Sequence, residues 1–183
     1  MRADGRINLV PYDPGWPVVY GSVRDRILAR LGDRVLSIHH AGSTAVPGLA
    51  AKPVIDVIIT VRDPDDESAY ATPLADDGFR VAVREPDWFG HRCLKADDPV
   101  VNLHVFPEPC TEVDRMLAFR DHLRTHDADR DLYRATKAAL AEHRWETVQD
   151  YADAKSSVVT EIMARVAPSD PDRGGGGAID VDP

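Results

Sequence analysis

The densest chemistry in this chain of 183 residues is His39-His40-Ala41-Gly42-Ser43-Thr44-Ala45-Val46-Pro47-Gly48, a segment flanked by two apolar, strand-like runs. Gly42 lets the backbone approach a ligand closely. Ser43 and Thr44 offer hydroxyls at a potential helix start, a combination suited to cradling a phosphate. The same residue types also suit an ordinary Gly/Ser turn. Asp56 follows inside Pro53–Val61 (PVIDVIITV), where a carboxylate among β-branched side chains needs a metal, a cation or several hydrogen-bond donors. A structural ion pair with a helix cation would satisfy it as well. Lys52 is the nearest cation in sequence, but four residues of extended chain span ~13 Å, so no direct salt bridge between the two is expected.

These residues need elements to hold them. Asp13-Pro14, followed by Val19, Val23, Ile27 and Leu31, predicts a helix over Trp16–Leu31 with Asp13 as its cap and Pro14 at the first position. Val35–His40, Pro53–Val61, Phe79–Val83, Arg92–Lys95 and Val100–Phe106 read as strands, the second of them buried on both faces. After Pro109 the spacing turns helical in three segments. These are marked by Val113, Met116, Leu117 and Leu123, then by Leu132, Tyr133, Thr136 and Leu140, then by Val148, Tyr151, Val159, Ile162 and Val166. An early helix, then strands, then helices predict an α+β (mixed α/β) domain.

The helical segments carry cations on faces that otherwise read as core. At 100° per residue, Arg120 falls within the first stripe, Lys155 at the middle of the third and Lys137 at the edge of the second, where a snorkelling side chain and a pocket residue are equal readings. Helices covering the sheet near Ser43 and Asp56 would bring Arg120, Lys137 and Lys155 together with Lys52 and Lys95 in a cationic pocket. His40 and His104 belong to strand-like segments that should end near one another, as site residues or as hydrogen-bonded core histidines. His122 and His126, four apart on a helix, read as a solvated face, and Cys93 as a small buried hydrophobe.

Composition bounds the function. With 31 acidic against 22 basic residues the net charge is −9, which argues against duplex nucleic acid as a partner and obliges any anionic ligand to find a local basic pocket. Cys93 and Cys110 form no CxxC pair, which fits a reducing, cytoplasmic setting. No apolar run approaches the ~18 residues of a membrane span, and no GxxxxGK[ST] phosphate loop occurs. Composition breaks near Pro168, dividing a folded unit at 1–167 from a Gly-rich, acidic tail at 168–183 that is expected to be disordered.

Four stretches together resemble the GrpB family of nucleotidyltransferase-like proteins: Tyr12–Pro17, His40–Val57, Asn102–Val105 and Phe119–Arg124, within Val10–Val166. The resemblance implies a nucleotidyltransferase-like mixed β-sheet with flanking helices and a C-terminal helical layer. It would make Gly42-Ser43 the phosphate-binding turn and Asp56 a metal ligand. Related domains also occur fused behind dephospho-coenzyme A kinases, yet no kinase half is present here. The wider superfamily places a second carboxylate two residues after the first and a third on a later strand, to clamp two magnesium ions. This chain has Asp56-Val57-Ile58, then Asn102 and His104. The expectation is a nucleotidyl- or phosphoryl-transferase with one Mg2+ at Asp56, with Asp56 and His104 catalytic. His40, Gly42, Ser43, Thr44, Lys52, Lys95, Arg120, Lys137 and Lys155 would contact phosphates. The alternative is a non-catalytic module for a phosphorylated small molecule or nucleotide.

Overall fold

Apolar side chains at three- and four-residue spacing build α1 (Trp16–Leu31), whose Trp16, Val23, Ile27 and Leu31 are buried. Asp13 stands two residues before the cap, Gly15: its carboxylate accepts from the Gly15 amide at 2.7 Å, and Pro17 rather than Pro14 stands in the first turn. This computed structural model describes residues 5–166, so the tail expected at 168–183 lies outside the described residues.

Five strands follow: β1 (Ser37–Ala41), β2 (Ile55–Val61), β3 (Arg80–Glu85), β4 (His91–Asp97) and β5 (Val100–Pro107). They form one mixed sheet in the order β1-β2-β5-β4-β3, with β2 and β5 parallel and the other pairs antiparallel. The short helix α2 (Ala71–Ala75) lies in the crossover between β2 and β3. Central β2 is buried along almost its whole length, and Asp56 is its one half-exposed residue. Each fully buried Val or Ile there contributes about 1.5–3 kcal/mol, which fixes the register that aims Asp56.

Alternation along the strands sorts side chains into two layers. Val57, Ile59, Leu103 and Val105 join Val23, Ile27 and Leu74 beneath the sheet. On the other face Ile58 and Phe106 meet Val113 from α3 (Thr111–Thr125), together with Ala41 and Cys110. α4 (Asp127–Glu142), α5 (Val148–Asp153) and α6 (Ser156–Met163) complete the C-terminal layer, where Tyr133, Val158 and Ile162 pack on Val46 and Leu49 beyond the Gly-Ser turn. This is the mixed α+β arrangement expected from the sequence.

Two expectations need correction. The third helical segment is not continuous. A capping box of Thr147 and Asp150 starts α5, the chain turns at Ala154-Lys155, and α6 begins anew. His122 is not solvated: it is 8% exposed and its Nε2 lies 2.7 Å from Asp129 Oδ2, while its ring stacks on exposed His126 at 3.9 Å. The partner comes from α4, which the four-residue spacing along α3 does not reveal. Cys93 and Cys110 are free and buried, and among the described residues no helix is long and apolar enough to cross a membrane.

Candidate functional site

The site grows from the β1–β2 connection. Gly42 has φ 67°, a conformation in which a side chain would be strained, and a Cβ placed there would come within 2.3 Å of Asp56 Oδ2. Glycine is thus required twice, for the turn and for the close approach of the carboxylate. Ser43–Ala45 then make a single 3-10 turn. Two arginines of α3 pin it from outside: Arg120 donates to the His40 carbonyl at 2.8 Å and Arg124 to the Ala45 carbonyl at 2.9 Å.

Asp56 stands opposite Asn102 in the parallel β2–β5 register, and Asn102 Nδ2 donates to Asp56 Oδ1 at 2.8 Å. Burial alone would raise its carboxyl, but the Asn102 hydrogen bond and the Lys52 charge act against it, and the group stays below its ordinary value. His104 Nε2 lies 3.8 Å from Oδ1, beyond hydrogen-bond length.

Above Asp56 lies a cavity of about 150 Å³ lined by Gly42, Ser43, Thr44, Lys52, Asp56 and Asn102, and roofed by Tyr133, Lys137, Tyr151 and Lys155. Lys137 is 3% exposed, and its ammonium donates to Ser43 Oγ at 2.7 Å and to the Ala50 carbonyl at 2.6 Å. Burial, with Lys155 beside it, pushes its pKa down to about 7. Lys155 is lowered to about 8 by burial and the Lys52 charge, and Lys52 is lowered by burial. Three amines facing one carboxylate leave the cavity short of negative charge.

The structure thus brings together Gly42, Ser43, Thr44, Lys52, Asp56, Lys137 and Lys155. Lys137 is no snorkelling residue; its head points inward because α4 lies directly over the Ser43 turn. Lys155 reaches the same cavity from the α5–α6 junction rather than from mid-helix. Arg120 is held by His40 and Asp121, and it lines a neighbouring cavity of about 180 Å³ with Phe119 and Met116, on the other side of Gly42-Ser43. Lys95 is exposed on β4, outside the cavity walls. His40 faces the opposite side of the sheet from Asp56, because its register partner is Val57. It stacks on Tyr20 at 4.5 Å and bonds Thr44 Oγ1 at 3.0 Å, and burial drives its pKa down to about 4. It supports the turn from below.

Sequence reasoning missed Tyr133 and Tyr151. Each precedes a pocket lysine by four residues, and each ring receives that lysine's ammonium, at 5.3 Å and 4.7 Å from the centroid. The repeated Tyr-x-x-x-Lys spacing was the available signal. Among the described residues, no three His, Cys, Asp or Glu side chains are grouped to hold a metal. One carboxylate among three amines, with Ile58 buried under α3 and Asn102 already bonded to Asp56, does not fit a resident magnesium ion.

Residues 6–165 match the family model described as GrpB protein. The chain belongs to the GrpB protein family. A UPF0157 protein of Halalkalibacterium halodurans is 50% identical over 159 residues, covering 87% of this chain and 82% of that one. The crystal structure of the conserved protein GrpB from Enterococcus faecalis superposes with a TM-score of 0.76 at 25% identity, over 87% of this chain and 96% of that chain. A dephospho-CoA kinase of Mycolicibacterium paratuberculosis is 40% identical over 76 residues, which is 40% of this chain and 19% of the kinase. That likeness is partial, as expected for a GrpB-like segment within a longer enzyme.

Proposed function

We propose that the protein binds the phosphate of a phosphorylated small molecule or nucleotide in the Lys52/Lys137/Lys155 cavity, with lysines neutralising the charge in place of a resident metal. The observation that carries this reading is Lys137, a buried ammonium fixed by Ser43 and Ala50 and aimed into a cavity with two more amines and a single acid. Burying such a cluster costs several kcal/mol unless an anion compensates it. Ser43 and Thr44 add hydroxyl donors, and Gly42 opens the approach to the backbone. The seven residues that meet here act together, while His40 and Arg120 hold the turn and Lys95 contributes only distant charge. A reducing cytoplasmic setting, where such ligands abound, accords with the free cysteines.

A transferase reading is favoured by one observation. Asp56 is ionised, bonded by Asn102 and pressed against the glycine of the turn, which is more order than charge balance alone requires. Isothermal titration of inorganic phosphate, AMP and ATP, with EDTA or with magnesium, separates the two. Binding that persists in EDTA and is lost in Lys137→Met supports the lysine site. Affinity that appears only with magnesium overturns it and gives Asp56 to an ion carried in by the ligand.

A further inference from the structure

Four acid–base groups form a line across the sheet face that carries Asp56, one from each of β3, β4, β5 and β2. Glu85 Oε2 lies 2.7 Å from His91 Nδ1, His91 Nε2 lies 3.0 Å from His104 Nδ1, and His104 Nε2 lies 3.8 Å from Asp56 Oδ1. With His91 neutral, the hydrogens along this line are fixed. The Glu85 carboxylate only accepts, so His91 carries its hydrogen on Nδ1. A neutral His91 then accepts at Nε2, so His104 carries its hydrogen on Nδ1. Burial keeps His91 neutral by lowering its pKa, and its ring is wedged against Trp88 and Phe106 at 5.0 and 4.7 Å. His104 Nε2 is left as a bare lone pair facing a carboxylate oxygen, two acceptors with no hydrogen between them.

We propose that His104 is a proton acceptor for a water or hydroxyl seated between its Nε2 and Asp56 Oδ1, with His91 and Glu85 as positioning residues that hold it in the accepting tautomer. In the step itself the O–H bond breaks, its proton goes to Nε2, and the electron pair stays on the oxygen, which becomes the nucleophile beside the phosphate site. Cys93, its register partner on β4, and Lys95, at the next position on the same face, also stand near His104. Neither is bonded into the line. The inference extends the phosphate-site reading, which supplies the neighbouring ligand, but the acceptor geometry does not depend on it.

The test uses the full chain labelled with 15N-histidine, at pH 8. The wild type should show His104 protonated at Nδ1 and bare at Nε2. Glu85→Gln, whose amide oxygen still accepts from His91, should keep that signature. Glu85→Leu should move about half of His104 to the other tautomer and slow its modification by diethylpyrocarbonate several-fold, read by peptide mass spectrometry. A wild-type His104 with hydrogen on Nε2, donating to Asp56, overturns the proposal, as does a Glu85→Leu spectrum identical to wild type. Inorganic phosphate titrated into the same samples separates the two readings. Failure to bind phosphate removes the lysine site without touching the tautomer, and a wrong tautomer with phosphate still bound removes only the relay.

Discussion

Replacing Lys137 by methionine tests the charge balance of the cavity, because the two effects of the change work in opposite directions. A pKa lowered from 10.5 to about 7 corresponds to on the order of 5 kcal/mol against charging this amine in the empty protein. Methionine relieves that cost at similar volume. It also strips a donor from Ser43 Oγ and from the Ala50 carbonyl, at about 1–3 kcal/mol each. The terms nearly cancel, so Lys137→Met should stay within about 2 kcal/mol of wild type near pH 7, a Tm change below ~8 °C. The pH dependence has a definite sign. From about pH 7 to 10.5 the unfolded chain holds this proton and the folded one does not, so wild-type stability rises with pH through that window relative to the variant. A phosphate in the cavity reverses the preference by favouring the ammonium. Calorimetry at pH 8 in buffers of different ionisation enthalpy should therefore show proton uptake on phosphate binding, reduced in Lys137→Met, with affinity about 10–100-fold weaker. Unchanged affinity without proton uptake in the wild type would refute the reasoning, as would a variant that unfolds while binding phosphate normally.

Gly42→Ala should cost about 1–3 kcal/mol in thermal unfolding and weaken phosphate binding, because it combines a left-handed φ with a Cβ driven into the Asp56 carboxylate. Asp56→Asn should leave the fold intact by circular dichroism and, by removing the cavity's one negative charge, tighten inorganic phosphate several-fold; weaker binding would show that Asp56 organises the ligand directly. Asp129 is held below its ordinary 3.8 by the His122 hydrogen bond and by Arg165, so its contribution is complete above that value and lost as pH falls through the lowered one. Asp129→Asn should accordingly destabilise by about 1–3 kcal/mol at pH 7 and less near pH 3 in urea unfolding. Deleting 168–183 should leave the Tm unchanged within about 1 °C, since Gly174–Gly177 has no side chains to pack.

The local elements and the turn were legible in the chain alone. Four-residue apolar spacing marked α1, β-branched runs marked β2, and the Gly-Ser-Thr segment with Asp56 beyond it marked where chemistry would sit, because these signals arise from backbone sterics and short-range periodicity. It also showed that lysines lay on faces that must be covered. What it left undecided were matters of register and docking. The parallel pairing of β2 with β5 sets Asn102 beside Asp56 across 46 residues, and the β1 register turns His40 to the far side of the sheet. The seat of α4 over Ser43 made Lys137 the most deeply buried cation of the cavity instead of a surface residue, and the break before α6 changed how Lys155 gets there. The line from Glu85 to Asp56 crosses four strands and has no trace in any one of them. Helical and strand periods say which residues share a face of one element, but the pairing of faces is fixed only when the whole core is packed, and only that packing brings distant charges within reach of one another.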